Sequence, residues 1–182
     1  MSGGGVAAAE GLKGKKKSVL VCYASRYGST KDIAEWIAEE LIRLGMAVDC
    51  RPAGRDVDPA AYDAAVLGSP LYMGKWLPEA REQVSGERGA FGRIPVAVFS
   101  VGYSLKEPDE KALQGGEAAL SDVRLFITPR DAAFFPGMVD PGRLTPADRA
   151  ILTLAGVSGG DFRDREKVRS WARTLPAVLG LL

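Results

Sequence analysis

The 182-residue chain is predicted to be an α/β protein in which a parallel sheet carries helices on both faces. Short β-rich runs alternate with amphipathic helical patterns along the chain, in the order β-α-β-β-α-β-α-β followed by helix. Residues 18–25, SVLVCYAS, form a continuous apolar run, which is typical of a strand covered on both faces. We therefore expect one domain of ordinary size over residues 18–182, with a substantial core.

The first helix is predicted over residues 30–44, where apolar side chains recur on one face: Ile33, Ile37, Leu41 and Leu44. Gly45 is expected to end this helix in a left-handed conformation. The other strands are predicted at residues 46–52, 62–70, 94–102 and 123–135. Further helices are predicted near residues 78–86 and 109–120, from Thr145-Pro146 to about residue 155, and from about Asp161 onward.

Composition excludes several classes of site. Lys and Arg number 24 and Asp and Glu 23, so the net charge of +1 gives no general attraction for nucleic acid. The chain has no histidine, which excludes Ser-His-Asp hydrolysis and histidine-based metal sites, and no metal site is predicted. Cys22 and Cys50 each fall in a predicted strand, and we expect buried free thiols in a reducing cytoplasm.

Residues 1–17 are interpreted as a flexible basic leader. Their apolar stretch is short and the lysines follow it, unlike in a secretory signal. No apolar run is long enough to span a bilayer. We expect a cytoplasmic protein, with either a solvated leader or peripheral contact of residues 13–17 with anionic lipid at the inner membrane face.

The junction between the first strand and the first helix carries a cluster of hydroxyls around one glycine: Ser25, Arg26, Tyr27, Gly28, Ser29 and Thr30. The unpaired amides at a helix N-terminus bind anions, so this loop suits a phosphate ester. The alternative is a capped turn with Ser29 or Thr30 as N-cap. The Walker pattern and Gly-x-Gly-x-x-Gly are both absent, which argues against a nucleoside triphosphate or a Rossmann-bound NAD.

Ser25-x-x-Gly28-x-Thr30 after a first strand resembles the FMN phosphate loop of flavodoxins, and the resemblance covers the chain from about Ser18 to Leu182. It is most similar to the branch of menaquinone-dependent protoporphyrinogen oxidases, on the match of Arg26, Gly28 and Thr30 and a late Ser-Gly-Gly at residues 158–160. The resemblance implies a flavodoxin-like three-layer sandwich with strand order 2-1-3-4-5. It also implies FMN at the switch point between strands one and three.

The resemblance also implies two further flavin loops, after the third and fourth strands. The first comprises Ser69, Pro70, Leu71, Tyr72, Met73 and Gly74; the second comprises Ser100, Val101, Gly102 and Tyr103. Tyr72 and Tyr103 are expected to contact the flavin ring. Trp76 is expected either to do so or to pack on the helix that begins at Pro78. Gly68, Gly74 and Gly102 would let backbone approach the ring.

The charge around the predicted flavin site helps to distinguish an electron shuttle from an enzyme. Shuttle flavodoxins are usually strongly acidic, whereas the predicted flavin loops of this neutral chain carry Arg26, Lys75 and Lys106 against Glu107. The reduced flavin should therefore be less destabilised here. We expect an FMN-dependent oxidoreductase that passes electrons from an organic substrate, with protoporphyrinogen as one candidate, to a quinone-like or protein acceptor.

The segment 129–157 carries apolar residues whose role is open. Phe134, Phe135 and Met138 are expected either to form an apolar wall for substrate or to be the buried end of strand five. No residue is assigned as catalytic acid or base, because a flavin would supply the redox chemistry.

Three alternatives stay open: an NAD(P)H:quinone reductase, a simple flavodoxin shuttle, and a flavin-free interaction domain on the same fold. The oligomeric state is not predicted.

Overall fold

A computed structural model describes residues 14–54, 56–107 and 109–182. Its central sheet has five parallel strands: β1 (Ser18–Tyr23), β2 (Ala47–Pro52), β3 (Ala64–Tyr72), β5 (Val96–Gly102) and β6 (Asp131–Pro136). Their spatial order is β2-β1-β3-β5-β6. Taking the parallel strands alone, this confirms the predicted order 2-1-3-4-5. A two-residue strand, β4 (Lys75–Trp76), pairs antiparallel with the end of β3.

Seven helices of the described residues surround the sheet: α1 (Ser29–Arg43), α2 (Pro78–Gly86), α3 (Arg88–Phe91), α4 (Glu110–Ala119), α5 (Ser121–Arg124), α6 (Pro146–Leu154) and α7 (Arg165–Val178). Two single-turn 3-10 helices occupy Pro59–Ala61 and Tyr103–Leu105. A separate antiparallel ribbon pairs β7 (Met138–Val139) with β8 (Gly160–Asp161). The link from β2 to β3 has no long helix, as predicted.

The core has two halves because successive strand residues point to opposite faces of the sheet. Val19 and Val21 of β1 pack with α1 and α7, whereas Leu20 and Cys22 pack against the opposite layer. All four are at most 3% exposed. The layer opposite α1 and α7 is contributed largely by α2, α3 and α5. This arrangement explains the continuous apolar run in the sequence and confirms the predicted three layers.

Helix α1 buries the apolar face that its sequence predicts. Ile33, Ile37 and Leu41 are fully buried, and each such side chain stabilises the fold by about 1.5–3 kcal/mol. Leu44 lies past the helix end and is exposed, so its predicted place on that face is wrong. Gly45 has a φ of 92°, which confirms the left-handed turn.

The predicted strand over residues 123–135 is wrong in its first half. Residues 121–124 are helical and only Asp131–Pro136 form a strand. The apolar run VRLFI misled the prediction, because only Val123 and Ile127 of it are buried. Leu125 is 77% exposed.

The last helix begins later than predicted. Asp164 caps it by accepting a hydrogen bond from the Lys167 amide at 3.0 Å, so α7 starts at Arg165 rather than near Asp161. Helix α6 begins as predicted, with Thr145 accepting from the Asp148 amide at 3.2 Å and Pro146 in the first turn.

The predicted leader falls mostly outside the described residues. Residues 14–17 of it are exposed and belong to no helix or strand. Over the part of the chain that the structure describes, no helix combines the length and apolarity needed to cross a bilayer. Cys22 and Cys50 are both free thiols, the first buried and the second half-buried.

Two adjacent glycines in α4 give a matched test of the packing. A Cβ on Gly116 would lie 2.5 Å from the Phe134 ring, whereas a Cβ on Gly115 would meet nothing within 4 Å. Both substitutions gain the same helix propensity of about 1 kcal/mol, but overpacking costs about 1–3 kcal/mol. We expect Gly115→Ala to raise the free energy of unfolding in urea and Gly116→Ala to lower it. Equal effects would contradict this packing.

Candidate functional site

A mainly apolar cleft opens at the carboxyl end of the sheet, where β1, β3 and β5 end side by side. The predicted site residues that line it are Ser25, Arg26, Tyr27, Ser29, Thr30, Pro70, Leu71, Tyr72, Val101, Gly102 and Tyr103. The remaining lining residues are Leu77, Gly137, Met138, Val139, Asp140, Leu144, Asp148, Ile151 and Leu152. The structure therefore brings the three predicted loops to one cleft and adds a fourth wall from residues 137–152.

The loop before α1 is shaped by a left-handed glycine. Gly28 has a φ of 97° and precedes the helix without a side-chain cap; neither Ser29 nor Thr30 acts as the N-cap. Ser25 Oγ accepts hydrogen bonds from the amides of Gly28 at 3.1 Å and Lys31 at 3.4 Å. Among the described residues, no hydrogen bond satisfies the Ser29 and Thr30 amides. These amides are available to an anion, and the helix dipole favours negative charge there.

Ser29 and Thr30 have different surroundings although they are neighbours. Ser29 Oγ accepts a hydrogen bond from the Met138 amide at 3.0 Å, which ties the loop to the segment after β6. Thr30 is 1% exposed and lines the cleft. Thr30 is therefore the hydroxyl of the two that no described backbone group engages.

Two tyrosines from different loops line the cleft. Tyr72 ends β3, and the guanidinium of Arg26 lies 4.6 Å from its ring centroid. Tyr103 follows β5 and packs edge-on against Phe162, with centroids 5.5 Å apart. Such aromatic and cation–π contacts fix the orientation of a ring as well as stabilising it.

Several predicted residues lie outside the cleft. Ser69 is fully buried, and its Oγ accepts from the Leu77 amide at 2.9 Å. Trp76 is 1% exposed and donates to Ser100 Oγ at 2.8 Å, so the packing alternative for Trp76 is the one observed. These hydroxyls hold β3, β4 and β5 together beneath the cleft.

Met73 and Gly74 form the tip of the β3–β4 hairpin, with φ values of 50° and 75°. Neither is among the residues that line the cleft. Gly68 also differs from expectation, because it makes room for the Phe99 ring within the core.

The apolar residues of β6 and β7 also fall into two groups, one packed in the core and one lining the cleft. Phe135 is buried in the core with α7, and Phe134 packs in the opposite core layer beside Gly116. Met138 lines the cleft. The substrate-wall interpretation therefore stays a prediction for Met138, whereas the buried Phe135 and the partly buried Phe134 pack in the core as part of the strand.

The carboxylate of Asp148 on α6 joins two of the predicted loops. It is 4% exposed and accepts hydrogen bonds from the Tyr27 hydroxyl and, at 2.7 Å, from the Tyr72 hydroxyl. Arg26 pairs with it at 2.8 Å. The bonds from Tyr27 and Tyr72, with the Arg26 charge, lower the pKa of Asp148 from 3.8 to about 2.

The cations in or beside the loops predicted to bind flavin are more compensated than the sequence suggests. Arg26 is paired with Asp148, and Lys75 lies 3.4 Å from Asp122. Lys106 makes no ion pair with a described carboxylate; it donates to the Tyr103 hydroxyl at 2.9 Å. That bond lowers the pKa of Tyr103. Of the three predicted cations, Lys106 alone therefore has no close ion pair with a described carboxylate, although the neighbouring Glu107 acts on it at longer range.

Sequence reasoning missed the cleft residues of α6. It placed the helix correctly but gave its side chains no role, because an Asp in the first turn is common wherever a helix dipole needs an acid. The apolar residues Leu144, Ile151 and Leu152 were the one sequence feature that could have indicated a wall of the cleft. The same pattern is equally typical of a helix packed on the core, so it did not distinguish the two.

Comparison with known proteins identifies a family. Residues 20–164 match the family model described as a flavodoxin domain. The protoporphyrinogen IX dehydrogenase [quinone] of Escherichia coli K12 is 26% identical, over 86% of this chain and 93% of the relative.

Solved structures share the fold. Oxidised flavodoxin 2 from Bacillus cereus superposes with a TM-score of 0.54 at 23% identity, covering 88% of this chain and 98% of that one. The Fusobacterium nucleatum flavodoxin bound to flavin mononucleotide gives a TM-score of 0.56 at 14% identity, covering 90% and 99%.

The Asp148 cluster should make stability depend on pH. Since the folded pKa of about 2 lies below the ordinary 3.8, the ionised carboxylate stabilises the fold above about pH 4, and this contribution is lost as the pH falls towards about 2. We expect Asp148→Asn to lower the free energy of unfolding in urea by about 1–3 kcal/mol near neutral pH. The deficit should shrink at about pH 2.

Asp122→Asn is the matched control, since Asp122 is half-exposed and its contacts to Lys75 and Arg81 are longer, at 3.4 Å. A deficit for Asp148→Asn that is equal at neutral and acid pH would contradict the low pKa of the carboxylate.

Proposed function

Because the chain belongs to the flavodoxin domain family, we propose that it is an FMN-dependent oxidoreductase that passes electrons from an organic substrate to a quinone-like acceptor. The observation that carries this proposal is the anion-binding loop at residues 25–30, set at the mouth of an apolar cleft between two tyrosines.

The phosphate of FMN fits the loop on three counts. The amides of Ser29 and Thr30 have no described partner, Gly28 takes a left-handed conformation, and α1 is a 15-residue helix whose dipole points its positive end at the loop. We assign Ser25, Gly28, Ser29 and Thr30 to the phosphate.

The flavin ring fits the rest of the cleft. Its walls are mainly apolar, and they include Pro70, Leu71 and Tyr72 on one side and Gly102 and Tyr103 on another. A planar apolar ring gains burial from both walls and orientation from the tyrosines. Ser69 and Ser100 support these walls from beneath the cleft.

When bound, FMN would supply the two-electron chemistry. The chain's own residues bind and orient it and exclude water. Lys106 and Tyr103 provide a cation and a hydrogen-bonded phenol at one wall. No described side chain is assigned as catalytic acid or base.

The proposed substrate and acceptor are suggested by the name of one relative. The Escherichia coli protein is named for protoporphyrinogen IX and a quinone, and the similarity spans most of both chains. Met138, Leu144, Ile151 and Leu152 give this cleft an apolar wall from residues 137–152, which suits a large apolar reductant or a quinone. Peripheral membrane contact would bring the cleft to membrane quinones.

Titration of the apoprotein with FMN tests the cofactor. A hydrogen bond to a charged group contributes about 1.5–3 kcal/mol, so we expect Thr30→Ala to raise the Kd about 10- to 100-fold. Gly28→Val should weaken binding more, because valine does not adopt the φ of 97°.

Thr128→Ala, at an exposed threonine before β6, is the control and should bind as the wild type does. The cofactor assignment is wrong if wild-type protein takes up no FMN, or if both loop variants bind it normally.

Anaerobic mixing of the FMN-loaded protein separates the electron donors. We expect protoporphyrinogen to bleach the flavin absorbance faster than NADPH does, and menadione to restore it. Free FMN is the control for direct chemistry in solution. Faster bleaching by NADPH would instead identify an NAD(P)H:quinone reductase, and bleaching only through a protein reductase would identify a shuttle.

A further inference from the structure

Helix α6 is held to the protein in an unusual way. Its nine residues include a single buried one, Asp148. A surface helix ordinarily buries an apolar stripe, yet Ile151 is 45% exposed and Leu154 is 89% exposed. The attachment of α6 therefore depends on a charged group and its partners rather than on a hydrophobic core.

Those partners come from two different walls of the cleft. Arg26 and Tyr27 belong to the loop after β1, and Tyr72 ends β3. One carboxylate thus connects three segments that are far apart in the sequence, and Arg26 is stacked on Tyr72 as well. If the Asp148 carboxylate lost these bonds, α6 would lose its polar contacts with both walls. The Arg26–Tyr72 stack would then lose its ion pair with α6.

The inner side of α6 faces the cleft through Ile151 and Leu152, and Leu144 extends this wall just before the helix. A planar ligand in the cleft would therefore contact α6 on one side and the sheet edge on the other, and movement of α6 away from the sheet would widen its exit. Elements with few buried apolar contacts open at low free-energy cost, so the Asp148 bonds determine how often this happens.

We propose that α6 is a movable wall of the cleft, and that Asp148 is the positioning residue that holds it closed on Arg26 and Tyr72 and slows the release of bound FMN. This inference rests on the proposed function. Asp148 acts through its partners, and it is not assigned a part in the electron transfer.

The test measures the rate of FMN dissociation, from the recovery of free-flavin fluorescence after dilution of the loaded protein. We expect Asp148→Asn to accelerate dissociation at least about tenfold, since it removes charge-assisted bonds. Tyr72→Phe keeps the ring and removes only the hydroxyl bonded to Asp148, so it should accelerate dissociation less.

The double variant should separate positioning from simple destabilisation. If Tyr72 acts through Asp148, Tyr72→Phe adds little in the Asp148→Asn background, because residues of one network are non-additive. Asp122→Asn should leave the dissociation rate unchanged. A rate for Asp148→Asn within twofold of wild type, or full additivity with Tyr72→Phe, would overturn the proposal.

Hydrogen exchange of the apoprotein tests whether Asp148 holds α6 in place without any cofactor present. Asp148→Asn should speed exchange of the α6 amides while those of α1 stay protected. If wild-type protein binds no FMN, the proposed function fails, and this measurement still reports on α6. Unchanged exchange in α6 would show that Asp148 does not hold the helix.

Discussion

Parallel pairing of β1 with β3 is the constraint on which the cleft depends. Val19–Tyr23 run in register with Ala64–Gly68, so the loop that follows β1 and the end of β3 arrive at the same edge of the sheet. The chain passes from β1 to β2 on one side, whereas β3 and the later strands are added on the other side of β1. The crevice opens between β1 and β3, where the strand order changes direction. This geometry places Tyr72 and the unpartnered amides of Ser29 and Thr30, and the pairing of β3 with β5 adds Tyr103. Ser69, Ser100 and Trp76 stabilise the arrangement from below.

Charge at the cleft is arranged as pairs with one exception. Arg26 and Lys75 each face a carboxylate, and Lys106 instead binds a phenol. The chain is neutral overall, but its charges are not evenly distributed at the cleft. Lys106 is the cation that would act on a ligand bound near Tyr103. Any effect of the protein on the potential of a bound flavin would be expected to come more from Lys106 than from Arg26, since a paired charge is partly cancelled at a distance.

The sequence predicted what is encoded locally and missed what depends on distant contacts. The strand–loop–helix unit from Ser18 to Arg43 was predictable because a continuous apolar run, a glycine and an amphipathic pattern are adjacent in the chain. The role of Asp148 was not, because it bonds to Arg26 across 122 positions. The error at residues 123–130 has a different cause: Leu125 and Phe126 are exposed, and an apolar run that is not buried gives the same signal as a buried strand.

Burial has a chemical consequence for the two cysteines. It raises the pKa of Cys22 and of Cys50 to about 12, so both side chains are almost entirely neutral thiols near neutral pH. Thiolates add readily to electrophilic ring systems, whereas buried thiols do so poorly. Near neutral pH, neither Cys22 nor the half-buried Cys50 is therefore expected to react readily with an electrophilic small molecule.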